Sequence, residues 1–245
     1  MINWRVNQIT RSKEMTDANP YQTPQSNLHE QQPVHYQINP NWDIGDVFKE
    51  AWQLTSGYKA TLWGAMLIYI AISIAVSLPF EFIGKDSLVI MFISQIVIGL
   101  VTYPLYAGIT MLGIKRSVGA ATNAFMVFDY YSKIIPIFLL YVAMVILILI
   151  GLVLLVIPGI YLAVAYSMAI PLLVEKNMGI WEALETSRKT IHKCWFRVFG
   201  LYLVVLVVVI LAMLPLGIGL IWAVPLVNLV MGVVYRNLFS VGENV

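Results

Sequence analysis

Four runs without a charged residue occupy most of this chain: residues 61–80, 87–114, 134–174 and 198–235. A helix needs about 20 apolar residues to cross a hydrocarbon core roughly 30 Å thick. The first run is therefore one span. The second, 28 residues long, is one tilted or kinked span with Pro104 at the kink. The third and fourth runs have 41 and 38 residues, each nearly twice one crossing. Ile157-Pro158-Gly159 divides the third, and Pro215 with Gly217 and Gly219 divides the fourth. Proline removes a helix donor and glycine permits a reversed backbone, so both places read as hairpin tips. The expectation is an all-α, polytopic membrane helical bundle, with about six transmembrane helices in three hairpins. The segment 158–174 has only 17 residues, about 25 Å of helix. It is the crossing expected to fall short, as a re-entrant segment, if any does.

The hairpins read as copies of one unit. Leu78-Pro79, Ile157-Pro158 and Leu214-Pro215 stand at or near the outer turns, and Pro104-Leu105, Pro171-Leu172 and Pro225-Leu226 lie in the second helices. The spacing between the two prolines varies (25, 13 and 10 residues), so the repeat is carried as much by the amphipathic segment before each hairpin. Ahead of the first, Ile44, Val47, Phe48, Ala51, Trp52 and Thr55 recur at helical spacing, with Asp43 as N-cap. Ahead of the third, Ile180, Leu184, Ser187, Ile191 and Trp195 form a stripe, with Glu185 and Lys189 at the favourable i,i+4 spacing. The second segment, residues 125–131, is shorter and less regular. All three hairpins would run in the same sense, a parallel repeat.

Residues 1–40 break from this pattern. They are rich in Asn, Gln, Pro and Ser and poor in aliphatic residues, too few to offset the entropy of ordering. The division expected is a disordered cytoplasmic tail over 1–40 and a transmembrane helical domain over 41–245. The tail carries a short Asn19-Pro20-Tyr21-Gln22-Thr23-Pro24 motif running to Leu28, and Met15 is an equal candidate for the start of translation. No secretory leader is read at the beginning, where residues 1–16 are polar and mixed in charge.

Only 11% of the residues are charged and 60% are apolar, against about 25% charged in a soluble domain. The net charge of +2 gives no footing for nucleic acid. Its placement says more. With the hairpin tips outside, the near-membrane cytoplasmic cations are Lys49, Lys59, Lys115, Arg116, Lys133, Lys176, Arg188, Lys189, Lys193, Arg197 and Arg236, and only Lys85 lies outside. The positive-inside rule then places both termini in the cytoplasm of a multi-pass inner-membrane protein.

Candidate chemistry is sparse. The spans hold almost no ionisable group, whereas ion-coupled transporters usually bury several. The neutral polar residues Ser73, Ser94, Gln95, Thr102, Thr110, Ser167 and Asn228 are expected to bond helices together rather than bind cargo. Gln95 and Asn228 are the first two worth mutating. His29 and His35 fall in the tail, and His192 with Cys194 supplies two ligands where a structural zinc needs four. Cys194 is the single cysteine, so no internal disulfide can form. Glu81, Lys85 and Asp86 share the one charged outer loop without a nucleophile–base pair. Catalytic, cofactor-binding and metal residues are therefore all assigned as none, and no cofactor is expected. The oligomeric state is left open.

The run from Ile157 to Gly200 carries a resemblance. Ile157-Pro158-Gly159-Ile160-Tyr161-Leu162, then Pro171-Leu172 with Glu175, then Gly179-Ile180-Trp181-Glu182-Ala183-Leu184 with Ser187-Arg188, resembles a group of bacterial six-helix inner-membrane proteins. That group includes the membrane domain ahead of the catalytic domain in some glycerophosphodiester phosphodiesterases, and several families of no assigned role. The likeness is best over residues 150–238. It implies the fold and the location, with a hint of envelope lipids. Nothing in these residues forms a phosphodiesterase barrel, so that activity does not carry over.

Two functions follow as expectations. The leading one is a non-enzymatic inner-membrane protein that organises the envelope through membrane lipids or protein partners at its cytoplasmic face. It rests on the basic amphipathic segments, which either lie in the headgroup plane or pack onto the bundle. The alternative is a transporter or channel for a small neutral or amphipathic solute. A cavity lined by Gln95 or Asn228 favours the alternative, and a bundle filled solid with side chains favours the first.

Overall fold

Apolar runs of this length become helices because lipid offers no partner to an open backbone group. A computed structural model describes residues 41–83 and 87–242. The expected tail over 1–40, with its motif and Met15, lies outside the described residues, as do Lys85 and Asp86. Among the described residues every regular element is helical: α1 (Ile44–Leu54), α2 (Lys59–Ile83), α3 (Leu88–Ser117), α4 (Ile134–Leu154), α5 (Val156–Ala165), α6 (Ala169–Lys176), α7 (Ile180–His192), α8 (Trp195–Met213) and α9 (Leu220–Leu238). Two 3-10 turns, Ala124–Phe128 and Tyr131–Lys133, lead into α4. Six helical stretches are long and apolar enough to cross a membrane: α2, α3, α4 with its lead-in, α5 together with α6, α8 and α9.

The spans differ in what they face. In the most apolar window of the fourth and sixth spans 56% of residues are buried, and 28% in the second. The first, third and fifth have 0%, 17% and 11%. Spans two, four and six thus form the inside, and one, three and five present Leu, Ile, Val and Phe outward. The three Pro-Leu pairs all lie on the inner spans, and all six residues are buried.

Glycines let the inner spans touch. A Cβ on Gly232 of α9 would collide with the Gly113 carbonyl of α3, and one on Gly113 would lie 2.5 Å from Asn228 Oδ1. This is close backbone packing through small residues, the usual way membrane helices associate. α1 begins at Asp43, whose Oδ1 accepts the Gly45 and Asp46 N–H groups at 2.7 and 3.4 Å, as expected of an N-cap. It then lays Val47 and Ala51 against α9.

Two expected positions shift. The reversal between α4 and α5 is at Leu155, whose backbone is extended (φ −161°, ψ 139°), rather than at Ile157-Pro158-Gly159. Pro158 sits in the first turn of α5, where its missing N–H leaves nothing unpaired. Gly159 serves packing instead: a Cβ on Gly151 of α4 would lie 3.0 Å from the Gly159 Cα. The segment expected to fall short is a broken span. α5 and α6 have 10 and 8 residues, separated by a turn at 166–168. The tip between α8 and α9 is where the sequence puts it, with Leu216 and Gly217 at positive φ (53° and 81°).

Gly232→Ala is expected to lower stability by about 1–3 kcal/mol, the usual cost of overpacking, measured as thermal unfolding in detergent. Gly200→Ala, where a Cβ meets only ordinary contact at 3.6 Å, should be neutral or slightly stabilising.

Candidate functional site in the helix bundle

All six spans contribute wall to one cavity of about 450 Å³. α9 gives the longest share: Leu220, Val224, Asn228, Met231 and Tyr235 are three or four residues apart and, with Val227 beside Asn228, make one face. At 1.5 Å per residue that face is roughly 22 Å long. Opposite it lie Tyr106, Ile109, Thr110 and Ile114 of α3, with two residues each from α2, α4 and α8 and four from the α5–α6 break onward. Among the described residues no charged side chain is on the wall. Near the 214–219 turn it is apolar, with Val209, Leu220 and Val224. The hydroxyl and amide groups of Thr110, Ser167, Asn228 and Tyr235 are set among further apolar side chains over the rest.

Asn228 is the hinge of this wall. Its Oδ1 accepts from the Tyr58 hydroxyl at 2.7 Å and its Nδ2 donates to the Ile109 carbonyl at 3.0 Å. Burial pushes the Tyr58 phenol up, with the Arg116 charge opposing, so Tyr58 stays a donor. Of the polar residues expected to tie helices together, Asn228 does so. Ser73, Ser94, Thr102 and Thr110 instead donate to carbonyls three or four residues back on their own helices, which commits their protons within those helices. Gln95 is exposed on α3 and is not on the cavity wall.

The broken span is mended from outside. Ser187 of α7, fully buried, donates to the Ala165 carbonyl at 2.7 Å and accepts the Met168 N–H at 3.3 Å. One hydroxyl thus satisfies two backbone groups at the break, beside a cavity that Ser167 and Met168 line. The Ser167 hydroxyl oxygen is buried without a hydrogen bond among the described residues, with Tyr202 as a polar neighbour. Ala183, Leu184, Ser187 and Ile191 are buried, so the stripe on this segment faces the bundle. Its opposite side keeps the expected Glu185–Lys189 pair at 3.3 Å and adds a two-pronged Glu185–Arg188 pair. The hydrogen bond from Arg188 holds the Glu185 carboxyl below its ordinary range.

Cations gather at the end of the bundle nearest Tyr235. Arg236, 6% exposed, grips Glu50 of α1 with both terminal guanidinium nitrogens at 2.7 and 2.8 Å and donates to the Ser117 carbonyl at 2.6 Å. Arg116 donates to the Leu54 and Ser56 carbonyls, and Lys133 to that of Val174. Each thus feeds a donor to carbonyls at or near the C-terminus of a helix other than its own. Tyr235 donates to Glu175 at 2.6 Å, and Glu175 also accepts the Gly242 N–H at 2.7 Å. The sequence reading counted these cations for orientation and missed their bonding. Only the basic residues in the last turns of α3, α6 and α9 signalled it.

His192 meets the Tyr161 hydroxyl at 3.0 Å through Nδ1, and burial pushes the Cys194 thiol up. Among the described residues no three His, Cys, Asp or Glu side chains converge as metal ligands. Comparison of the chain with protein-family models, curated proteins and solved structures finds no match.

Ser187→Ala should strand the Met168 N–H and the Ala165 carbonyl, at about 1–3 kcal/mol for each buried group. Thermal unfolding in detergent reads the loss. Thr190→Ala, on the same helix, should cost far less.

Proposed function

We propose that the protein binds a small neutral or amphipathic solute inside its bundle and carries or conducts it across a bacterial inner membrane. The cavity lined by Asn228 carries this reading. A solid bundle would have favoured envelope organisation alone. The uncharged wall supports a neutral occupant, because an ion stripped of water there would meet no counter-charge. A cavity between helices, mainly apolar with a few convergent polar groups, is where ligands usually bind. The reading is non-enzymatic and invokes no cofactor.

The proposed topology has three parallel hairpins with both termini cytoplasmic. The cation bias supports the sidedness, and the three buried Pro-Leu pairs support the repeat. The likeness of residues 157–200 to the bacterial six-helix group supports the location. A second role, lipid contact at the cytoplasmic face, draws on Trp181 and Phe196, which are 68% and 84% exposed beside Lys189 and Lys193. The apolar stripe of α7 does not support it, being covered by the bundle.

Sidedness is tested in a Cys194→Ser background. Lys193→Cys should react with a membrane-impermeant thiol reagent only in inverted vesicles, and Leu216→Cys only in intact cells. The reverse pattern would refute the orientation.

The site is tested with Thr110→Cys in the same background. A small neutral thiol reagent should label it, and neutral amphiphiles should slow labelling several-fold. A cysteine there that labels at the same rate with and without them would count against a binding site.

A further inference from the structure

Resting on that reading, we infer that the occupant is a single-chain alcohol: an uncharged amphiphile whose hydroxyl sits among Asn228, Thr110 and Tyr235 and whose chain runs toward Val209, Leu220 and Val224. Shape gives the first argument. The face of α9 on the cavity extends roughly 22 Å, more than twice the diameter of a sphere of about 450 Å³. An elongated, apolar-ended space suits an extended chain better than a compact solute.

The hydrogen-bond inventory gives the second. A hydroxyl has one proton and two lone pairs. The Thr110 proton goes to the Tyr106 carbonyl at 3.0 Å, and the Tyr235 proton goes to Glu175 at 2.6 Å. What both retain is lone pairs. Asn228 gives one amide hydrogen to Ile109 and accepts from Tyr58, which leaves it a second amide hydrogen. A ligand hydroxyl fits this set, donating to Thr110 or Tyr235 and accepting from Asn228. At Thr110 and Tyr235 an ester oxygen would meet only lone pairs, so it bonds the wall through the Asn228 amide hydrogen or the Ser167 hydroxyl and forgoes the second contact that the alcohol makes. A carboxylate would do the same and bury a charge on a wall without a cation. An ammonium would find no carboxylate on the wall.

The test is competition on the purified full chain. A straight-chain primary alcohol, the methyl ester of the same chain and the corresponding carboxylate are offered together, and bound molecules are counted by native mass spectrometry. The alcohol should be retained about five- to tenfold over the ester, the scale of one matched hydrogen bond, with the carboxylate lowest. Thr110→Val keeps the shape and removes the acceptor. It should bring alcohol and ester toward parity by weakening the alcohol while leaving ester binding unchanged, and Tyr235→Phe should act in the same direction. Equal binding of all three by the unaltered protein would overturn the alcohol assignment while leaving a binding cavity in place. No binding of any of them would overturn it too, and the Thr110→Cys labelling then decides separately whether the cavity binds anything. A preference unchanged in both variants would show that other groups make the selection and would also overturn it.

Discussion

A hydrocarbon solvent makes no hydrogen bonds, so each backbone group within it must find a partner in the protein. Most of the chain meets that demand with unbroken helix. The informative places are those where helix alone does not. Proline 225 has no N–H, so it cannot bond the Ile221 carbonyl four residues back, and the Trp63 indole donates there at 3.2 Å. The turn at 166–168 opens the fourth span, and the Ser187 hydroxyl bonds the Met168 N–H and the Ala165 carbonyl there. These repairs come from neighbouring elements, so local irregularity in one span fixes the position of another. A helix that sequence alone left between the headgroup plane and the bundle packs onto the bundle, where its serine bonds a broken span.

The same demand organises the cationic end. Helix C-termini leave carbonyls without partners, and Arg116, Lys133 and Arg236 donate to such groups on other segments. The pair of Arg236 with Glu50 is bidentate, the stronger form of charged hydrogen bond. Arg236 is the buried member and Glu50 is 39% exposed, so removing Glu50 would leave a buried charge short of its partner, the costly case. At this end the α3–α9 contact is therefore held by a buried charge. Higher up, the same two helices touch through Gly113 and Gly232. One turn further on, Asn228 joins α9 to α3 and to Tyr58. Close packing on one side of α9 leaves its other side free to form the cavity wall.

The six spans were legible because their signal is long-range and chemical: uncharged runs of the right length. Asp43 as a cap and Glu185 with Lys189 were legible because they depend only on local spacing. Pro158 and Gly159 misled because the same residue types serve turns, first turns and close contacts, and only the packing of α4 against α5 separates these uses. Gln95 and Asn228 look alike in a sequence, and helical phase over a long span does not say which one faces inward. The cavity needs side chains from six segments spread over some 170 positions, and no short motif encodes such a convergence. Arg236 shows the limit most clearly. Its charge was counted toward orientation, yet its partner Glu50 lies 186 residues away.

The central claim is that the space between the spans holds a ligand. The most direct measurement is to extract and identify the molecules that copurify with the unaltered protein and with Val224→Trp, in which an indole fills the apolar end of the cavity, both prepared identically and shown to unfold at similar temperatures. The account predicts a neutral amphiphile present in near-stoichiometric amount in the first and lost from the second. The same bulk lipids in the same amounts from both would contradict it.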